Sequence, residues 1–289
     1  MSNTIELAKS FVPKLDECYR LASLTSVLDG APELAKQGAN ANELIIPMMS
    51  MDGLADYSRN GGYVQGGVTM TNETVKCNFD RGRRFDVDVM DDLETAGLAF
   101  GRLSAQFIRD KVVPELDAFR FASYCGISGV TKKEETLADG AATVAALSAA
   151  VTAMDDEEVT ATGRYLFITP TLLQGINDMD TTKSKKVLEG FERVIKVPQH
   201  RFYTAIKQLS GKTGEEAGGY TKAAGAANIN FAIVQKDALI QYTKHAAPKI
   251  IAPENNPDAD AYVFGYRMVG IAKAYKNMLS GMYFSHDKA

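Results

Sequence analysis

Hydrophobic and polar positions change rhythm along the chain, and each change marks a different element. Near the amino end Ile5, Leu7, Ala8, Phe11, Leu15, Tyr19 and Leu21 recur roughly at helical spacing, interrupted by Pro13, which cannot sit inside a regular helix. The weakly apolar stretch after it has turn signals but no firm element. Residues 1–42 therefore read as an arm with a short helix, suited to lie along another surface. Two strand-like stretches follow, NELIIPMM at 42–49 and VTMTNETVKCNFDRGRRFDVDV at 68–89. In the second, Val75, Cys77 and Phe79, and later Phe85, Val87 and Val89, alternate with polar residues in the period-two pattern of half-buried strands. Gly61, Gly62, Gly66 and Gly67 cluster between the two stretches, as turns and flexible tips require. The whole predicts a long hairpin with a mobile end, and a two-stranded hairpin alone is only marginally stable in water.

The rhythm then becomes helical. Asp91 and Glu94 form a variant capping box, and Leu93, Ala96, Phe100, Leu103 and Phe107 fall on one face. The stripe resumes through Val113, Leu116 and Phe119. Pro114 should kink the helix and Gly126 should stop it. A helix over 92–124 would be about 50 Å long at about 1.5 Å per residue. Beyond a polar loop at 127–139 the pattern alternates. Val144, Leu147, Val151 and Met154 mark a helix, and YLFI (165–168) a buried strand. Thr169 and Pro170 open a second helix as N-cap and first turn. Strands are expected at VIKV and RFYTAI (194–206), NINFAIV (228–234) and ALIQYT (238–243). Residues 209–227 read as a Gly- and Ala-rich loop, and the chain ends in strands from Ala261 to Phe284.

Composition narrows the class of protein. The chain has 289 residues, 45% apolar, with no apolar run near the roughly 20 residues that cross a bilayer and no secretory signal at its start, so a soluble protein made in the cytosol is expected. Cys18, Cys77 and Cys125 are odd in number and far apart, which argues against a disulfide framework or zinc site. The net charge of −4 lacks the basic surplus of proteins that coat nucleic acid, so contact with DNA would be by enclosure rather than grip.

Candidate chemistry is sparse. Gly211, Lys212 and Thr213 resemble the end of a phosphate loop, but Ile206 stands where that loop needs a glycine. Asp86 and Asp88 share a strand face near Asp91 and Asp92 and could hold a divalent cation, though pairing with Arg81, Arg83 and Arg84 is simpler. His200, His245 and His286 stand alone, and no nucleophile elbow is present. The residues thus predict no catalytic centre, no cofactor site and no metal site.

The order of parts resembles the tailed-bacteriophage major capsid proteins of the Hong Kong 97 type. So does the wording of ANANELIIPMMSMDGLADYSRNGGYV, VKCNFDRGRRFDVDVMD, KVVPELDAFRFA, YLFITPTLL and VIKVPQHRFYTAI, which is similar to capsid proteins of phages infecting Gram-positive bacteria. The resemblance covers essentially the whole chain. It implies an α+β fold with an N-arm (1–42), an extended loop hairpin and start of a peripheral domain (43–89), and a spine helix of that domain (90–139). A mixed α/β axial domain (140–260) and returning carboxyl-terminal strands (261–289) complete it. In that family residues 50–70 would lie over an adjacent subunit, and Arg59, Arg81, Arg83 and Arg84 against Asp52, Asp56, Asp86 and Asp88 offer opposite charges for such contacts. The implied partners are further copies of the chain in hexamers and pentamers, a separate scaffolding protein, because the chain opens directly on the arm, and a portal. The implied place is the virion, assembled in the bacterial cytoplasm around DNA and away from membranes. Three other classes make different predictions: an encapsulin-like compartment would hold cargo enzymes, a metal-dependent α/β enzyme would be a small metal-stabilised oligomer, and a tail or adaptor protein would form open rings or tubes.

Overall fold

A computed structural model describes residues 23–30, 36–37, 43–90, 98–179 and 182–288. The amphipathic pattern at 5–21, the capping box at Asp91 and Glu94, and Cys18 lie outside these residues.

The most buried element grows from the apolar runs read as strands. β6 (Arg164–Ile168) and β10 (Ile229–Gln235) are buried at every position. They pair antiparallel, with Ala232 opposite Phe167. β13 (Met282–His286) joins β10 antiparallel, while β5 (Thr131–Glu134) and β7 (Arg193–Lys196) close the two edges in parallel. The order is β5–β13–β10–β6–β7. Continuous apolar runs are needed here because both faces are covered. Leu166, Ile168, Phe231 and Ile233 face one apolar cluster, shared with Leu147 and Met154 of helix α3 (Gly140–Asp156) and Leu173 and Ile176 of helix α4 (Pro170–Asn177). Helix α5 (Thr182–Glu189) packs on α3 and α4. Phe167, Ala232, Val234 and Phe284 alternate onto the other face, against Phe121, Tyr124 and Cys125 of a long central helix.

That helix runs as α1 (Leu98–Phe107), a π-helical turn (Ile108–Val112) and α2 (Val113–Gly126), about 43 Å at about 1.5 Å per residue. The disturbance expected at Pro114 lies in the preceding turn: the wider π spacing accommodates a residue without an N–H, and helical dihedrals continue on both sides. Gly126 does not stop the helix by turning left-handed. It is the last helical residue, and the left-handed glycine is Gly129, at φ 91°.

The central helix serves a second sheet with its other half. β4 (Phe79–Asp88), β11 (Leu239–Ile251) and β12 (Ala261–Ala274) pair antiparallel in the order β11–β12–β4. Phe79, Phe264, Tyr266 and Met268 pack against Ile108, Val113 and Leu116. β10 and β11 follow closely in the chain but belong to different sheets, β11 standing with β4 and β12. The stretch 68–89 is likewise two strands, not one. β3 (Val68–Lys76) pairs β2 (Glu43–Met51) and ends before Cys77 and Asn78, after which β4 joins the other sheet. Asn78 makes this break, since its side chain both donates to the Ala272 carbonyl and accepts from the Ala272 N–H, at 2.9 Å each.

Smaller expectations were also revised. RFYTAI is a 3₁₀ turn at Gln199–Arg201 followed by irregular chain, and strand begins only at β8 (Ile206–Gln208). The Gly-rich 209–227 segment contains β9 (Tyr220–Lys222), antiparallel to β8. The polar loop at 127–139 holds the edge strand β5, exposed at every position and hence without an apolar rhythm to read.

Candidate assembly surface

The β2–β3 ladder pairs Met49 with Met70 and Met51 with Val68. Residues directly opposite in a ladder share a face, so these four side chains form one apolar stripe. All are exposed, Met49 by 58%, Met51 by 68%, Val68 by 67% and Met70 by 63%. Beyond them the tip presents Leu54, Tyr57, Tyr63 and Val64, also exposed, with the Tyr57 and Tyr63 rings 4.9 Å apart. Asp52 ties the neck of the tip, its carboxylate accepting the Gly67 N–H at 2.7 Å. The outermost turn is closed by a bridge between Ser58 and Gly62, whose φ of 72° suits a residue without Cβ. Exposed apolar surface gathered in this way marks a contact with another molecule.

The charged residues expected at contacts do not form one cluster. Asp56 and Arg59 stand exposed on the tip. Arg81 is turned inward: its Nε binds Glu115 at 2.8 Å and its Nη2 binds the carbonyls of Leu209 and Gly219. Arg83 donates to the carbonyls of Glu216 and Ala217 at 2.7 and 3.2 Å. These two arginines therefore brace the 209–219 loop of their own chain. Arg84 pairs with Asp86 at 2.8 Å in the open, and that carboxylate raises the Arg84 guanidinium above its ordinary value. Asp88 accepts the Met90 N–H at 2.8 Å. Among the described residues no cluster of His, Cys, Asp and Glu could hold a metal ion. The Gly211–Thr213 stretch is no phosphate cradle: the nearby Ser210 N–H is already taken by Glu215, whose carboxylate also binds Lys207 at 2.6 Å and is held down at about 2.

Two arrangements escaped sequence reasoning. On the outer face of the β4–β12 sheet Asp80 receives Arg267 through both oxygens, at 2.9 and 2.6 Å, and this bidentate bond holds its carboxyl below the usual range. Beneath the central helix lies a buried polar node. Asp117 accepts bonds from the Ser23 hydroxyl, the Leu24 and Thr25 N–H groups and, at 2.6 Å, the Thr25 hydroxyl. Arg120 binds Thr25 Oγ1 and Asp29, and Gln241 binds the Thr25 carbonyl and Asp29. The node straps residues 23–30 to the helix and to β11. Its signal was present in DAFR, where two charges three apart interrupt an apolar stripe.

Among the described residues no helix is long and apolar enough to cross a membrane. No protein-family model matches the chain, and no curated protein matches it in sequence. The fold itself defines a class: a long helix shared between a mixed sheet and a three-stranded sheet, with a projecting hairpin, is the Hong Kong 97-type capsid fold. Similar solved structures include a virus-like particle from Pyrococcus furiosus, at TM-score 0.60 and 10% identity over 97% of this chain and 99% of that one. Gordonia phage Cozz gives TM-score 0.60 and 10% identity over 93% and 87%, and Mycobacterium phage Che8 gives 0.56 and 12% over 85% of each chain.

Proposed function

We propose that this chain is a major capsid protein, a structural subunit and not an enzyme, whose copies close as hexamers and pentamers into an icosahedral shell around double-stranded phage DNA. The observation that carries the reading is the end-to-end extent of the structural likeness, which takes in the hairpin as well as the packed sheets. Identical subunits closing on themselves provide repeated cover for a hairpin that its own chain leaves bare. In this reading residues 1–42 are the arm, 43–89 the extended loop and start of the peripheral domain, 90–139 the spine helix, 140–260 chiefly the axial domain and 261–289 the returning strands. Asp56 and Arg59 on the tip, with Arg84, Asp86 and Asp88 on β4, steer neighbours into register, contributing orientation more than strength. Asp52, Arg81 and Arg83 act through the segments that they brace. A scaffolding protein, a portal and assembly in the host cytoplasm complete the picture, with no cofactor and no membrane.

Sedimentation and negative-stain microscopy of the expressed chain, alone and with a scaffolding partner, test it. Closed shells, or rings that mature into them, are expected. A compact monomer or dimer under both conditions, stabilised by Mg²⁺ or Mn²⁺, would overturn the reading in favour of an enzyme. The likeness to a virus-like particle from Pyrococcus furiosus favours a second reading, a protein compartment, and protein cargo without DNA in native particles would select it.

A further inference from the structure

Six methionines fall into two groups, apart from Met90 and Met278, which are exposed elsewhere in the fold. Met154, Met268 and Met282 are buried in the apolar clusters, whereas Met49, Met51 and Met70 lie bare on one face of the β2–β3 ladder, completed by Val68. Methionine is flexible and polarisable, which suits a contact that must adapt to its partner, but its thioether is also the one group on this face that an oxidant can change.

We infer that the Met49–Met51–Met70 face is a modification site for hydroperoxides that governs assembly: the free subunit is oxidised there, and the sulfoxides block its docking on a second copy of the chain. This rests on the capsid reading and adds a regulation to its contact surface. In the step, a peroxide transfers one oxygen atom to the methionine sulfur. The S–O bond forms as the O–O bond breaks, the sulfur loses two electrons to the peroxide, and the remaining oxygen leaves as water from hydrogen peroxide or as an alcohol from an organic hydroperoxide. An apolar thioether becomes a strongly polar sulfoxide, which would have to be desolvated without a matching donor when the face is covered. Reduction by a thiol-dependent methionine sulfoxide reductase reverses the change. Once the shell has closed, the same contact shields the three sulfurs, so only the unassembled subunit is sensitive.

The test treats purified, unassembled full-length chain with hydrogen peroxide, locates the added mass of about 16 Da by peptide mass spectrometry, and reads shell yield by sedimentation and microscopy. Expected are early oxidation at Met49, Met51 and Met70, ahead of Met154, Met268 and Met282, and a yield reduced about tenfold or more. The reductases should restore it. A M49L/M51L/M70L variant should keep its yield after the same treatment, and assembled particles should resist oxidation at these positions. Full yield from subunits oxidised at all three positions, no recovery with the reductases, or equal loss in the leucine variant overturns the inference alone. Untreated subunits that form no shell with or without scaffolding overturn the capsid reading, and the inference with it.

Discussion

β10 and the β2–β3 hairpin are built from similar residues and meet opposite fates. INFAIVQ has both faces covered and every position buried, whereas the hairpin's ELIIPMMSM and VTMTNETVK leave a methionine face open. The difference lies in neighbours. β10 sits between two strands, with α3 and α4 on one face and α2 on the other. Among the described residues the hairpin's strands are joined only by the two-residue edge strand β1 (Lys36–Gln37), and its base alone, at Val75, packs on Ile240 and Ile271. Apolar content therefore decides that a segment will be covered, while the count of elements around it decides whether its own chain does the covering.

The sharpest way to break the comparison is inside β10. Phe231 is fully buried and stacks on Tyr283, with centroids 6.2 Å apart. Phe231→Ala should cost about 3–5 kcal/mol in denaturant unfolding, the usual range for emptying such a site. Asp117→Ala comes next at about 3 kcal/mol, because buried partners lose their acceptor. It should also expose the 23–30 strap to proteases, which Phe231→Ala should do less selectively. Arg84→Glu, which breaks an exposed pair, should leave the unfolding midpoint of the free subunit nearly unchanged, and any loss of particle yield would then report contact between subunits. Met49→Ala should move subunit stability by less than about 0.5 kcal/mol, while particle yield falls measurably. An equal loss of stability would mean that the hairpin face is covered within the chain.

The smallest effect is one of pH. Glu215 is depressed from 4.5 to about 2 by Lys207 and the Ser210 N–H, and Asp80 is lowered by Arg267. A carboxylate with a lowered folded-state value stabilises above its unfolded value and loses that contribution as pH falls through the folded one. Glu215→Gln should thus flatten part of the loss between pH 4.5 and about 2 in acid titrations of stability.

Much of the local structure was legible. The Thr169–Pro170 helix start, the apolar YLFI and mostly apolar NINFAIV strands and the alternation along β4 follow from short-range rules about caps, runs and periods. β5 was not legible, because TKKE is an exposed edge strand with no apolar rhythm. The pairing of the arginines on β4 was half legible. Arg84 and Asp86 pair two residues apart along one strand, but the binding of Arg81 to Glu115 and of Arg83 to residues 216–217 depends on elements far apart in the chain.

By itself the sequence determined the Thr169–Pro170 helix start, the buried strands at YLFI and NINFAIV and a hairpin too apolar to stand alone, since caps, turn residues and periodicity act over a few positions. Only the tertiary structure decided that β11 crosses to the sheet of β4, that β5 lies beside β13, and that Asp117 is satisfied by a strap more than ninety residues earlier. Those outcomes depend on which surfaces meet once the central helix is buried. The same packing decided which hydrophobic face its own chain left bare.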